Sequence, residues 1–246
     1  MMMNLKKMIL RITGAIAAVI IVVFGSYMIF MFSAVRKMTA AETSKLTDDV
    51  FAVRDKYVNM FLVRNGDDFI AIDAGIKKGA IRDELRKLEI DPDRVIAVFL
   101  THTDSDHAGA INLFRNAVVY MHREEEQMIN GETGRFLFFG NTIDTEEYTL
   151  LNDEILRIGD LEIRPVLTPG HTGGATCYVV NGSYLFTGDA MRLYNGYAEP
   201  FPRFINKNAR RARKSMKNIM ELEGIQYIFT AHYGYSDDFS KAFSSR

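Results

Sequence analysis

Sulfur is scarce and neither sign of charge is in excess. A single cysteine, Cys177, stands among 246 residues, which excludes an internal disulfide and leaves stability to a packed core or a bound metal. Thirty Lys and Arg face 31 Asp and Glu, a net charge of −1. That balance excludes a wholesale nucleic-acid coat and a polyacidic tail. There is no internal repeat and no low-complexity tract, and a 48% hydrophobic, 25% charged composition excludes a disordered chain. Histidine is also sparse, five in all, so the places where it falls carry information.

The N-terminus departs from the average. Ile12 to Val35 is a run of 24 residues without a charge, preceded by Lys6, Lys7 and Arg11 and followed by Arg36 and Lys37. About 20 apolar residues cross a bilayer, whereas a signal-peptide core is typically about 7–15 long. The run therefore reads as an uncleaved single-pass anchor with the lipid bilayer as partner of residues 12–35. The basic flanks place the N-terminus inside and the remainder on the extracytoplasmic side. Residues 1–37 form the anchor, 38–50 a polar juxtamembrane linker, and 51–246 the folded domain. Without the anchor the domain is mildly acidic, at −6.

From residue 51 the pattern is layered α/β. Tyr57–Val63 and Phe69–Ile72 are β-favouring runs joined by Asn65-Gly66-Asp67-Asp68, a hairpin signal. Lys77–Leu88 has helical spacing and stops before Asp91-Pro92. Val95–Leu100 is apolar throughout, as a strand buried on both faces requires. A helix is expected from Ala108 to Phe114 and a strand at Ala117–Met121. Further hairpins are expected at Ile155–Ile158 with Leu161–Val166, and at Cys177–Val180 with Tyr184–Phe186. A helix over Asn208–Leu222 and a strand at Tyr227–Thr230 follow. Hairpins flanking strand-helix alternation imply two mixed sheets with helices outside.

Four of the five histidines sit in turns beside apolar strands. The first cluster is Thr101-His102-Thr103-Asp104-Ser105-Asp106-His107. In extended backbone His102 and Asp104 share a face, because side chains alternate with period two; Asp106 and His107 follow at a helix start. His171 lies in Pro169-Gly170-His171-Thr172-Gly173-Gly174, Asp189 in Thr187-Gly188-Asp189, and His232 at the end of the last strand. Nitrogen and oxygen donors alone suit zinc, iron or manganese.

This series resembles the metallo-β-lactamase fold superfamily, whose pattern is HxHxDH, a lone His in a glycine turn, an Asp at a strand end and a final His. The match runs in order from Asp73-Ala74-Gly75 to His232. The resemblance implies a four-layer αββα sandwich preceded by one transmembrane helix. It also implies two divalent ions, one held by His102, Asp104 and His171, the other by Asp106, His107 and His232, with Asp189 bridging. Zinc is the expected ion. Asp104 departs from the pattern, where a second His is usual; its harder, charged carboxylate opens the site to iron or manganese.

Two such ions lower the pKa of a shared water toward about 7 and supply hydroxide at neutral pH. Asp106 would both ligate and orient that hydroxide. Asp73, at the end of an apolar strand, is either an imidazole-orienting partner or a turn former. The expected activity is hydrolysis of a small ester, thioester, amide or phosphoester. The competing reading is a metal-binding or sensing protein whose catalysis Asp104 has impaired.

Substrate is not legible. Only fourteen residues follow His232, too few for the helical C-terminal region of glyoxalase-II-type thioesterases. Asp104 argues against a dedicated β-lactamase. The stretch Gly134-Arg135-Phe136-Leu137-Phe138-Phe139-Gly140 reads as core packing or as a lid or pocket wall, and Tyr194 and Tyr197 as candidates to flank a small-molecule substrate. His122, outside every cluster, reads as a structural or surface histidine. Arg203, Lys207, Arg210, Lys214 and Lys217 recur at helical steps, which gives a solvated face or one that meets anionic headgroups or phosphate. Nucleic acid is not an expected partner, because the domain is acidic overall.

Overall fold

The structure, a computed structural model, describes residues 2–135, 140–145 and 147–244. Residues 136–139, the apolar part of the stretch read above as core or lid, lie outside the described residues. The chain divides into two units, Met1–Met38 and Thr39–Arg246.

The first unit is helix α1, Met2–Val35. Within its segment Lys7–Val35 an 18-residue window reaches a mean hydropathy of 2.5. Twenty-nine residues at 1.5 Å each extend about 43 Å, against about 30 Å of bilayer hydrocarbon. The helix is therefore long and apolar enough to cross a membrane. Ile20, Phe24 and Ile29 on it are exposed.

The second unit is built on two sheets. The first contains β1 (Ser44–Lys45), β2 (Val50–Asp55), β3 (Val58–Asn65), β4 (Asp68–Ile72), β5 (Val95–Phe99), β6 (Val118–His122) and β7 (Thr149–Leu151), in that order across the sheet. The strands from β1 to β4 pair antiparallel, and β4 to β7 parallel. The second contains β8 (Leu156–Ile158), β9 (Leu161–Leu167), β10 (Thr176–Val180) and β11 (Tyr184–Phe186), extended by the C-terminal β14 (Tyr227–Phe229) and β15 (Tyr235–Ser236). Between them in sequence, β12 (Met191–Tyr194) and β13 (Tyr197–Pro200) form a separate hairpin.

Alternation decides which side chains meet. On β3, Phe61 and Val63 join Ala97, Phe99, Tyr178, Phe186 and Phe229 in one buried cluster that draws on both sheets. Met60 and Leu62 face the other way and pack with Ile81 and Leu85 of helix α2 (Lys78–Lys87). Strand β5 is covered on both faces, as its unbroken apolar run requires: Ala97 and Phe99 join one cluster, Val98 and Leu100 the other. Each buried Val, Leu, Ile, Phe or Met side chain among these contributes roughly 1.5–3 kcal/mol by leaving water. Short helices α3 (Ser105–Ala108) and α4 (Glu126–Ile129) follow β5 and β6, then α5 (Ala209–Met220) and α6 (Phe239–Ala242). Ala212, Met216 and Ile219 are the buried apolar residues of α5. This is the four-layer αββα arrangement.

Two local expectations need correction, and one hairpin adds to them. The helix expected from Ala108 starts at Ser105, with Asp104 at its N-cap and a separate 3₁₀ turn at Ile111–Leu113. Residues 39–49 belong to the folded unit rather than to a free linker. Thr39 N donates to His232 O at 2.8 Å, the buried Asn59 holds both polar groups of the Ala41 backbone, and Ser44 pairs with Ala52. Their polarity reflects these hydrogen bonds. The β12–β13 hairpin turns at Asn195-Gly196, with φ of 52° and 81°, a pairing suited to a type I′ turn; the sequence reading passed over it.

Candidate metal centre

The site gathers at the ends of strands. Beyond β5 the backbone stays extended and delivers His102 and Asp104 to one place, with His102 Nε2 3.5 Å from Asp104 Oδ2. The start of α3 then presents Asp106 and His107. The turn after β9 contributes His171, the turn after β11 contributes Asp189, and the turn after β14 contributes His232. Gly188 there has φ +49°, and a Cβ on it would lie 2.5 Å from Thr101 Oγ1, so only glycine lets the Asp189 turn press against the first histidine loop.

In each of three groups the donor atoms lie within 4.8 Å of one another: His102, Asp104 and His171; His102, His107 and Asp189; and Asp106, His107 and His232. Asp189 faces both outer groups. Its Oδ1 is 3.1 Å from His232 Nε2 and 3.6 Å from His107 Nε2, and its Oδ2 is 3.3 Å from His171 Nε2. All seven residues proposed from the sequence as ligands thus converge.

The imidazoles are oriented from behind. His107 Nδ1 lies 2.8 Å from Asp73 Oδ2. Thr101 Oγ1 donates to the same carboxylate at 2.9 Å and stands 3.0 Å from His102 Nδ1. His232 Nδ1 donates to the carbonyl of Tyr57 at 2.8 Å. Occupying Nδ1 in each ring turns the Nε2 lone pair toward the centre, the arrangement that metal-ligating histidines use. Asp73 therefore contacts one ring directly and a second through Thr101, and it also occupies the left-handed region, at φ 63°.

Several of these atoms want a cation. His102 Nε2, His107 Nε2, His171 Nδ1 and Asp189 Oδ1 are buried without a hydrogen-bond partner among the described residues. Unpartnered buried polar atoms are costly, of order 1–3 kcal/mol each. Two Nε2 atoms that face the centre beside carboxylates fit a nitrogen and oxygen metal set. Electrostatics agree. Burial opposes charge on His107, yet Asp73, Asp106 and Asp189 outweigh it and push the imidazolium up to about 10. Burial likewise resists ionisation of Asp189, but His232, His171 and His107 hold its carboxyl far below the usual range. His171 moves the other way, lowered by burial. A proton on His107 stands where a metal would supply the positive charge.

Four participants were not foreseen. Glu125, buried after β6, accepts from Thr103 N and Oγ1 at 2.9 and 2.8 Å, from Thr172 Oγ1 at 2.6 Å and from Gly174 N at 3.1 Å. It ties the first histidine loop to the His171 turn. Arg135 and Asn141 both reach Asp104, and Tyr57 backs His232. Glu125 is hidden in the run Glu124-Glu125-Glu126, which reads as a solvated patch; nothing in local sequence marks the others.

The remaining candidates are not among the converging donors, although Lys207 N donates to His171 O at 3.1 Å. His122 caps the 3₁₀ turn Arg123–Glu125, accepting from Glu124 N at 3.1 Å, a structural role. Tyr194 and Tyr197 face each other across the β12–β13 hairpin. Arg203, Lys207 and Arg210 line one cavity and are exposed, as are Lys214 and Lys217.

Residues 53–224 match the family Lactamase_B, the metallo-beta-lactamase superfamily, and the chain belongs to it. Among curated relatives it is similar to BaeB of Bacillus velezensis, a probable polyketide biosynthesis zinc-dependent hydrolase. The two are 29% identical over 135 residues, 55% of each chain. It is also similar to YqgX of Bacillus subtilis, a probable metallo-hydrolase, at 26% identity over 54% of this chain and 69% of that one. The human acyl-coenzyme A thioesterase MBLAC2 is 24% identical over 61% and 66% of the two chains. The chain thus spans about half to two thirds of these relatives. Among solved structures, a B3 metallo-beta-lactamase with an active-site glutamic acid superposes with a TM-score of 0.64 at 19% identity, covering 86% of this chain and 88% of that one. A metallo-beta-lactamase family protein of Thermus thermophilus gives 0.60 at 20%, covering 80% and 78%. These share the fold.

Proposed function

We propose that the protein is a membrane-anchored, dinuclear metal-dependent hydrolase of a small ester, thioester, amide or phosphoester. The observation that carries this reading is Asp189, whose two oxygens face His232 and His107 on one side and His171 on the other. His102, Asp104 and His171 hold one ion, and Asp106, His107 and His232 the other. Zinc is favoured, since relatives are named zinc-dependent. When bound, a pair of divalent ions supplies a water acidified toward pH ~7 and polarises the scissile carbonyl or phosphoryl oxygen.

The chain's own residues do the rest. Asp106, at 23% side-chain exposure the most open of the carboxylates, would help hold an ion and, by accepting a hydrogen bond from the nucleophile, orient that nucleophile toward the substrate. Asp73 and the Tyr57 carbonyl keep Nδ1 protonated on their imidazoles, so that Nε2 stays available. Asp189 fixes the separation of the two halves. Helix α1 tethers the domain to a bilayer in a single pass, with the domain on the extracytoplasmic side.

The test is turnover by the full chain in detergent across a panel of acyl thioesters, carboxyl esters and phosphodiesters. Thioesters come first because a relative is named a thioesterase. Chelator-sensitive hydrolysis restored by zinc, and lost in Asp106→Asn, is expected. No turnover of any class after metal loading favours the sensing or impaired reading.

A further inference from the structure

Asp104 is the one position that departs from the family's ligand pattern, and its surroundings depart with it. A carboxylate in place of a neutral imidazole adds one negative charge to the first metal position. Arg135 Nε stands 3.0 Å from Asp104 Oδ2 as an ion pair, while Asn141 Nδ2 donates to Oδ1 at 2.8 Å. Oδ2 is also the atom that faces the donor set, 3.1 Å from His171 Nε2 and 3.5 Å from His102 Nε2. The guanidinium goes further into the site: its Nη2 is 3.3 Å from His171 Nε2. It is locked there, since Nη1 donates to His171 O at 2.7 Å and Nη2 to Ile205 O at 2.9 Å. The Arg135 and Asp104 side chains are only 16% and 14% exposed, so solvent screens the pair weakly.

We infer that Arg135 is the built-in counter-charge of Asp104, a positioning residue that returns the first metal position to the net charge of an all-histidine set. The inference rests on the two-ion reading above. One consequence concerns the metal: with the extra charge cancelled, the carboxylate no longer selects iron or manganese on charge, and zinc is retained. Another is that residues 104 and 135 are a matched pair. Restoring histidine at 104 while Arg135 remains leaves a fixed cation facing the ion with no carboxylate between them.

The test is zinc binding by equilibrium dialysis against competing chelators, with metal counted by elemental analysis, on the full chain in detergent. Wild type is expected to take up two zinc ions. D104H is expected to weaken the first position by about tenfold or more, and D104H/R135Q to recover most of that loss, the non-additivity expected of contacting charges. D104H/R135K, which keeps the charge, should stay weak. If D104H/R135Q does not fold, D104H/R135M provides the same comparison. Equal zinc affinity in D104H and the charge-removed double variant, or tighter binding in D104H alone, overturns the pairing while leaving two-ion binding intact. Fewer than two zinc ions in wild type overturns the two-ion reading, and the pairing with it.

Discussion

Asp73 Oδ2 sits 2.8 Å from His107 Nδ1, and the same side chain accepts from the backbone N–H and hydroxyl of Thr101. One carboxylate thereby holds the loop that carries four proposed ligands. Its backbone is left-handed, a conformation that costs of order 1–3 kcal/mol in a non-glycine residue and persists only where surroundings enforce it. Here Asp73 N donates to Phe99 O at 2.9 Å, and Thr101 N returns a bond to its side chain at 2.8 Å.

Asp73→Asn is expected to lower zinc affinity by about 10–100-fold, the usual effect of losing a ligand-orienting partner. The fold should survive, because the amide keeps one acceptor for Thr101. Chelator competition measures this, and unchanged affinity would remove Asp73 from the account.

Glu125→Ala strips the acceptor from Thr103 N and Gly174 N, both buried. Each orphaned donor costs about 1–3 kcal/mol, so a loss of at least about 2 kcal/mol should appear in denaturant unfolding. Glu125→Gln, which retains an acceptor oxygen, should lose less. Equal stability of the alanine variant and wild type would mean that Glu125 does not brace the two loops.

The metal-free protein should carry its own pH signature. His107 is pushed up to about 10 in the fold, against roughly 6.5 when unfolded. Its protonation therefore stabilises the fold fully below about pH 6.5, and the contribution fades as pH rises toward 10. His232 is raised too and acts in the same direction. Melting temperature after chelation should fall steadily from pH 7 to 10, and zinc loading should flatten the curve by replacing the proton. A metal-free protein equally stable at both ends contradicts this assignment.

A chain beginning at Thr39, the start of the second unit, should fractionate with soluble protein, while the full chain follows membranes. Recovery of the shortened chain with membranes would show that α1 is not the principal attachment.

Much of this was readable beforehand, for a physical reason. Ligands placed at strand ends inherit their position from hydrophobic runs such as Val95–Leu100 and from glycine turns, both local signals. His102, Asp104, Asp106, His107, His171, Asp189 and His232 come close together, as the family resemblance implied. What supports them is non-local: Arg135 reaches Ile205 and Glu125 reaches Gly174, contacts that no periodicity encodes. The polar segment 39–49 read as a linker because its hydrogen bonds go to partners distant in sequence, Asn59 and His232.

Anomalous diffraction at the zinc edge, on crystals of the zinc-loaded protein, examines the central claim most directly. Two peaks about 3.5–4 Å apart should appear, one against His102, Asp104 and His171 and the other against Asp106, His107 and His232, with Asp189 touching both. A single peak, or none among these side chains at saturating zinc, would contradict it.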